Sequence, residues 1–412
     1  MAIVATLFCA HFDLVLGDGA GRRLLLGRSG YNGPANPARE RERERGDGVV
    51  AGDSDLRRGE GRRCGEAAAA RGVVERLRAA EDAAERVAAA AEIRRLTRTS
   101  ARHRRRLSGA IEALVEMLRS AVAGSGEAAI LALLNLAVRD ERNKIKIVKA
   151  GALDPLISFL RSTNLTLQEY ATAALLTLSA SSVNKPTLSA SGAIHLLIKI
   201  LRDGNSQAKT DALMTLYNLS TITGNLHTIL SLQPLSPLID ILKGCKKSSK
   251  TAEKCCALLE CLLDFHEGRV ALISEEGGVL AIVEVLEEGS QQGREHALGA
   301  LLTMCESDRN KYREIILKEG VIPGLLELTI QGTPRSQSKA RVLLELLRNT
   351  TYSRSQFRAE KVDKVVSDIV SQMVGEDQSA KAKKMLAEMV QVSMEQSLRH
   401  LQERALCVHS GK

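Results

Sequence analysis

From residue 107 onward the apolar positions fall into two alternating patterns. The first is short: a glycine, then small and aliphatic residues, then a leucine-rich helical turn, as in LSGAIEALVEML, KAGALDPLISFL, SASGAIHLLIKIL, SLQPLSPLIDIL, EEGGVLAIVEVL and KEGVIPGLLEL. The second is longer, as in GEAAILALLNLAVRD, LTLQEYATAALLTLSA, SQAKTDALMTLYNLS, KTAEKCCALLECLLDF, QQGREHALGALLTMCE and PRSQSKARVLLELLRN. Its apolar residues return every three or four positions, as in Ile130, Leu133, Leu134 and Ala137, or Ala212, Leu213, Leu216 and Leu219. That spacing predicts amphipathic helices, and no strand-like alternation accompanies it.

Aligned on the short pattern, Gly109, Gly151, Gly192, Gln233, Gly277 and Gly320 lie 41 to 44 residues apart. A period near 42 is that of a two- or three-helix solenoid unit. The glycine marks where a short helix stops and turns sharply into the next, a place that favours positive φ. Pro155, Pro234 and Pro323 follow closely, in a first helical turn where the missing N–H has no partner to lose. One such unit cannot bury its own apolar face, and about three are needed for a continuous core. Six are present, so the expected fold is all-α, a right-handed α-solenoid.

The expected organisation has three parts: a leader over 1–75, the solenoid over 76–350 and capping helices over 351–412. Ala79 to Thr99 reads as a helix that opens the solenoid, with Val87, Ala91 and Leu96 turned inward. Beyond Thr351 two amphipathic stretches, Val362 to Met373 and Leu386 to Leu401, would cover the last repeat; a coiled-coil dimerisation helix is the other reading.

Composition agrees with helices packed through aliphatic ridges. The hydrophobic fraction is 44%, Trp is absent and Tyr and Phe number five each. The net charge of +9 sits mostly in the first quarter, where 22 Arg face 15 Asp and Glu through Arg106, and the first lysine is Lys144. Little in the leader can offset the entropy of ordering, so it is expected to be disordered. In its run Arg39 to Arg45 the interleaved Glu40, Glu42 and Glu44 cancel much of the field, and no aromatic partners accompany it. This disfavours nucleic acid as a partner. The apolar start MAIVATLFCAHF lacks a basic n-region, and no later stretch reaches the roughly 20 apolar residues of a membrane span. The eight Cys form no C-x-x-C pair, as expected of reduced thiols in the cytoplasm, the nucleus or both.

No nucleotide-loop, zinc-protease or nucleophile-elbow motif occurs. His296 and Cys305 stand nine residues apart on one helix with no second ligand pair, and Cys255 and Cys256 point in different directions. The sequence therefore predicts no enzyme: no catalytic residue, no cofactor, no metal and no small-molecule substrate.

The unit of short helix, glycine turn, A-I-x-x-L-V-x-L-L helix and long A-L-x-x-L-x-N-L-A helix resembles the armadillo (ARM) repeat over about residues 80 to 350. NKIKIVKAGALDPLISFL and ATAALLTLSASSVNKPTLSASGAIHLLIKIL lie closest to its consensus, and LQEYATAALLTLS and EEGGVLAIVEVLEEGS resemble the ARM half of plant U-box ubiquitin ligases. That resemblance implies a region that captures a substrate or regulator while a separate U-box recruits the ubiquitin-conjugating enzyme. No C-P-I-like start or Trp precedes the repeats, so no U-box is expected in this sequence. A resemblance to importin α would imply a ladder of Trp and Asn on the third helices. The Asn positions here read Asn135, Thr177, Asn218, Cys261, Thr303 and Glu345, and the Trp positions include Leu131, Ala173, Met214 and Gly299, which offers no aromatic face for Lys or Arg.

What remains is the concave solenoid surface, suited to an extended peptide or a helix. Asn135, Thr177, Asn218 and Thr303 are the expected groove residues, holding a partner backbone with amides and hydroxyls. The expected function is a protein-binding scaffold or adaptor, or alternatively the substrate-recognition part of a ubiquitin ligase pathway.

Overall fold

The computed structural model describes residues 68–348. Within them all regular elements are helices. The leader through residue 67 and the C-terminal helices expected from 351 lie outside the described residues. The chain divides into two compact units, the first ending at Ser191 and the second beginning at Gly192.

In the first unit, α1 (68–79) and α2 (Ala83–Thr97) open the stack. Two three-helix repeats follow: α3 (Ala101–Arg106), α4 (Ile111–Leu118) and α5 (Ser125–Ala137), then α6 (Glu141–Lys149), α7 (Leu153–Leu160) and α8 (Leu165–Ser179). A short helix, α9 (Lys185–Ala190), ends the unit. The second unit starts at α10 (Ala193–Asp203) and α11 (Ser206–Ser220). It continues with α12 (Thr223–Ser231), α13 (Leu235–Gly244) and α14 (Lys250–Leu262); α15 (His266–Ser274), α16 (Gly278–Glu288) and α17 (Gln291–Ser307); and α18 (Arg309–Lys318), α19 (Ile322–Gln331) and α20 (Pro334–Leu347).

The third, longest helix of each repeat after α5, which begins at Gly124 without a side-chain cap, starts on a residue that can accept from its own first turn. Asn164, Asn205, Ser249, Ser290 and Thr333 each take a backbone N–H two or three residues on, which contributes about 1 kcal/mol per helix. Laterally these helices pack on one another: α2, α5 and α8 in the first unit, and α11, α14, α17 and α20 in the second. Ile130, Leu136, Leu175, Leu216, Leu258 and Leu301 are among the side chains buried in these stacks.

Two polar stitches recur at the period of the repeat. In the first, a cation at the end of one repeat's second helix donates to the turn carbonyl of the next. Arg78 reaches Gly109 O, Arg119 reaches Gly151 O, Arg202 reaches Leu232 O and Gln233 O, and Lys243 reaches Glu276 O. In the second, an asparagine near the start of a first helix closes the end of the preceding third helix. Asn143 Nδ2 donates to Leu136 O at 2.9 Å and to Arg104 O at 3.0 Å, and Asn184 Nδ2 donates to Leu178 O and Lys144 O, both at 3.1 Å. In the second unit Asn225 Nδ2 donates to Leu219 O at 2.8 Å. These asparagines are 41 residues apart.

The turn glycines adopt the left-handed conformation as expected, with φ of 83° at Gly151 and 66° to 80° at Gly192, Gly277 and Gly320. Gln233 takes it too, at φ 53°, and so bears a steric cost that glycine avoids. Gly109 departs from the pattern: Leu107–Ala110 is a 3₁₀ turn that runs directly into α4, so no left-handed residue is needed there.

Two other expectations change. Residues 68–75, assigned to the leader, are helical, because Ala70, Val73 and Leu77 are buried and give α1 an apolar seam. The expected helix from Ala79 to Thr99 breaks between α1 and α2, and its buried stripe is Ala89, Ala90, Ile93 and Thr97. Ala91 is exposed, and Val87 and Leu96 are half-buried. The packing against α5 selects the i, i+4, i+8 line through Ala89, Ile93 and Thr97 over the more apolar one read from the sequence.

A Cβ on Gly151 would need the left-handed region and would meet Arg119 Nη2 at 2.7 Å. Gly151→Ala is therefore expected to destabilise the chain by about 1–2 kcal/mol, read as a lower midpoint in a urea melt followed by circular dichroism. Asn143→Ala strips two carbonyls of their donor and is expected to cost about 2 kcal/mol in the same measurement. A midpoint unchanged by Asn143→Ala would show that the asparagine stitch carries no net stability.

Candidate partner-binding face

The third helices present the surface on which the sequence placed its four candidates. In the first unit Asn135 is half-buried on α5 and its Nδ2 donates to Arg94 O of α2 at 2.8 Å. Thr177, on the neighbouring α8, is only 1% exposed. Its hydroxyl donates to Ala173 O at 3.0 Å, one turn back, and it lines a small apolar void with Leu133, Leu134 and Ala174. A hydroxyl so enclosed is a packing group, because its donor is spent on its own helix and no surface is left for a partner. Asn218 on α11 and Thr303 on α17 are both half-buried in the second unit, with α14 between them. Cys261 stands at the intervening rung and is also half-buried.

The second unit carries a cluster that the ladder did not include. Glu260 on α14 sits between α17 and α20: its Oε2 is 2.7 Å from His296 Nδ1 and its Oε1 accepts from Lys339 Nζ at 3.1 Å. Burial alone would raise the Glu260 carboxyl, but the hydrogen bond to His296 and the Lys339 ammonium outweigh it and hold the group below the usual carboxylate range. Asp264, one turn further on, goes the other way, raised by burial and then by Glu260. The space for this carboxylate comes from Gly299 of α17, where a Cβ would lie 1.8 Å from Glu260 Oε1. One repeat earlier the same step between third helices is made by Lys254 of α14, whose Nζ lies 4.5 Å from the centre of the Tyr217 ring on α11. Tyr217 and Lys254 stand 37 residues apart, and Glu260 and His296 stand 36 apart. Thus one inter-helix position holds a cation on an aromatic face in one repeat and an imidazole on a carboxylate in the next.

The sequence did contain a sign of this. Gly299 falls where a ladder tryptophan would stand, and a helix interior favours glycine there only if another group needs the room. Glu260 and His296 carry no such mark, since each reads singly as a polar helix residue.

Cys255, Cys256 and Cys305 are buried, and burial pushes the Cys305 thiol up to about 11. They behave as small core residues rather than nucleophiles. Among the described residues no three His, Cys, Asp or Glu side chains converge on a metal-sized site, and no helix is long and apolar enough to cross a membrane.

The family profile of the plant U-box protein ARM repeat region matches residues 70–367. The chain belongs to this family. Among its relatives is U-box domain-containing protein 9 of Arabidopsis thaliana, 36% identical over 270 residues, which are 63% of this chain and 57% of the relative. U-box domain-containing protein 45 of the same plant is 29% identical over 245 residues, 58% of this chain and 31% of the relative. The chain thus spans 31% to 57% of the length of these relatives. A crystallised engineered protein shares the fold with a TM-score of 0.58 at 19% identity, over 80% of this chain and 77% of that one. Residues 68–348 are accordingly ARM repeats of the plant U-box family, and an ARM fold of this kind supports a protein-interaction scaffold.

Because the Glu260 pKa is depressed in the fold, its contribution to stability is present above the unfolded value and is lost as pH falls through the folded one. Glu260→Gln is therefore expected to melt earlier than the parent chain at neutral pH, with the gap closing below about pH 4. Thermal melts across pH would show it, and a gap of constant size would mean that the carboxylate acts through packing instead of charge.

Proposed function

We propose that the chain binds a partner protein across the exposed faces of its third helices. The observation that carries this reading is the second unit's run of half-buried polar groups, Tyr217, Asn218, Lys254, Glu260, His296 and Thr303, on successive third helices that pack side by side. Polar groups held in place on packed helices are preorganised, so a partner that pairs with them loses little of its binding energy to ordering this side of the interface. Asn135 supplies a corresponding polar group in the first unit, its amide already oriented by the Arg94 carbonyl. The bound partner would be an extended segment or a helix.

A second reading concerns the pathway. The relatives carry the name U-box domain-containing protein, which favours a role in capturing a substrate or regulator for ubiquitination. Adding this chain to a reconstituted ubiquitination reaction should then increase modification of the captured partner; unchanged modification would leave a scaffold outside that pathway.

The primary test compares affinity purifications of the parent chain and an Asn135→Arg, Asn218→Arg double variant whose helicity is confirmed by circular dichroism. Proteins retained by the parent and lost from the folded variant are expected. An identical set of retained proteins would remove the third-helix face from consideration.

A further inference from the structure

We propose that the first helices of the first unit form a second docking surface, a cationic ridge that takes an acidic, partly apolar segment of a partner protein. The Asn143 stitch to the Arg104 carbonyl places α6 directly beside α3, and Lys146 Nζ reaches Ser108 O at 3.1 Å along the same seam. Arg142 and Lys149 are separated by seven residues and therefore share one face of α6. Together with Arg98, Arg105 and Arg139 they are exposed.

The nearby carboxylates are already engaged. Asp140 caps α6 by accepting from Asn143 N at 3.0 Å, Glu141 lies 3.5 Å from Lys144, and Glu112 lies 3.5 Å from Lys146. Arg98, Arg105, Arg139, Arg142 and Lys149 have no ion pair among the described residues. Arg139 also holds a left-handed backbone, φ 51°, in the link between α5 and α6. A non-glycine residue there costs about 1–2 kcal/mol, as it does at Gln233.

The repeat itself does not require such a ridge. In the second unit α12 contains no Lys or Arg. Arg269 of α15 is turned onto the carbonyls of Leu263 and Asp264, and Arg309 and Arg313 of α18 onto those of Leu346 and Leu347. Lys311 and Lys318 of α18 are exposed as an isolated pair, whereas in the first unit exposed Arg105 of α3 lies on the helix beside exposed Arg142 and Lys149 of α6.

Two features select an acidic protein segment over nucleic acid. Residues 98–149 contain no Phe, Tyr or Trp on which a base could stack. Beside the ridge, at the residue before Asn184, Val183 is 58% exposed, and Asn184 is bonded to the Lys144 carbonyl of α6. An exposed valine gains nothing from a phosphate backbone but can cover an apolar side chain of a peptide.

The test uses the whole chain and fluorescence anisotropy with a labelled Glu/Leu-rich peptide of about 20 residues, beside a labelled DNA duplex of about 20 base pairs. The peptide is expected to bind and to weaken as salt rises, since exposed charges are screened within about 10 Å at 0.1 M ionic strength. An Arg105→Glu, Arg142→Glu, Lys149→Glu triple variant should bind at least about ten-fold more weakly. An Arg105→Lys, Arg142→Lys variant, with charge retained, should stay within about three-fold of the parent, and circular dichroism confirms that both variants fold. The Asn135→Arg, Asn218→Arg variant should bind the peptide as the parent does, which separates this surface from the third-helix face. No salt-sensitive peptide binding, equal binding by the triple variant, or tighter binding of the duplex than of the peptide would each overturn the proposal.

Discussion

Everything in this fold depends on what happens to the backbone carbonyls at the turn between the first and second helices of each repeat. A unit of about forty residues has too little interior to hold itself and must be fixed to its neighbour. At that turn the chain enters the left-handed region, and the last carbonyls of the first helix have no intrahelical partner. Arg119 and Arg202 meet both needs from the repeat before, as does Lys243 one repeat on. Each cation sits at the negative end of its own second helix and donates to an orphan carbonyl next door. Gly151 is constrained twice by this arrangement, once by its own φ and once by the guanidinium lying against it. The asparagine stitch performs the matching task at the other seam, closing the end of a third helix with the first helix that follows.

Fixing the stack through backbone carbonyls leaves the exposed faces of the third helices free to differ from repeat to repeat. The contrast between Lys254 on Tyr217 and His296 on Glu260 follows from that freedom. The same geometry accepts either pair, because neither has to hold the repeats together alone. Such a surface can acquire new specificity with little cost to the fold, since substitutions there leave the turn carbonyls and the aliphatic core undisturbed.

The repeat and its phase were legible in the sequence because they rest on apolar periodicity and on glycines at nearly constant spacing, both local properties. The groove was legible only in part. Thr177 was placed on the ladder by alignment, yet at that rung α5 and α8 close over the side chain, and alignment carries no information about how far two helices approach. Glu260, His296 and Lys339 were missed because they lie on three helices spread over 79 residues, and only packing brings them together. The asparagine stitch recurs at a spacing of 41, but an asparagine that closes a helix end internally has the same local sequence signature as one facing a groove, so Asn143, Asn184 and Asn225 are told apart from Asn135 and Asn218 only by packing. The buried stripe of α2 was misread for a similar reason: Val87 and Leu96 outrank alanine in hydrophobicity, but the close approach of α5 rewards the small side chains of Ala89 and Ala90.

The two surfaces would contribute to recognition in different ways. Arg105, Arg142 and Lys149, exposed on α3 and α6, would act at a distance of about a Debye length, raising the rate of encounter and biasing the approach of an acidic segment without fixing its register. Glu260 and its partners are the reverse: already neutralised and half-desolvated, they exert little long-range pull. A ligand that engaged them would have to replace the contacts of His296 and Lys339 with contacts at least as good. Attraction and selection would then be assigned to separate helices of the repeat, the first helix for one and the third for the other. That division needs a scaffold whose stability rests mainly on contacts outside both surfaces, and the carbonyl stitches supply such contacts.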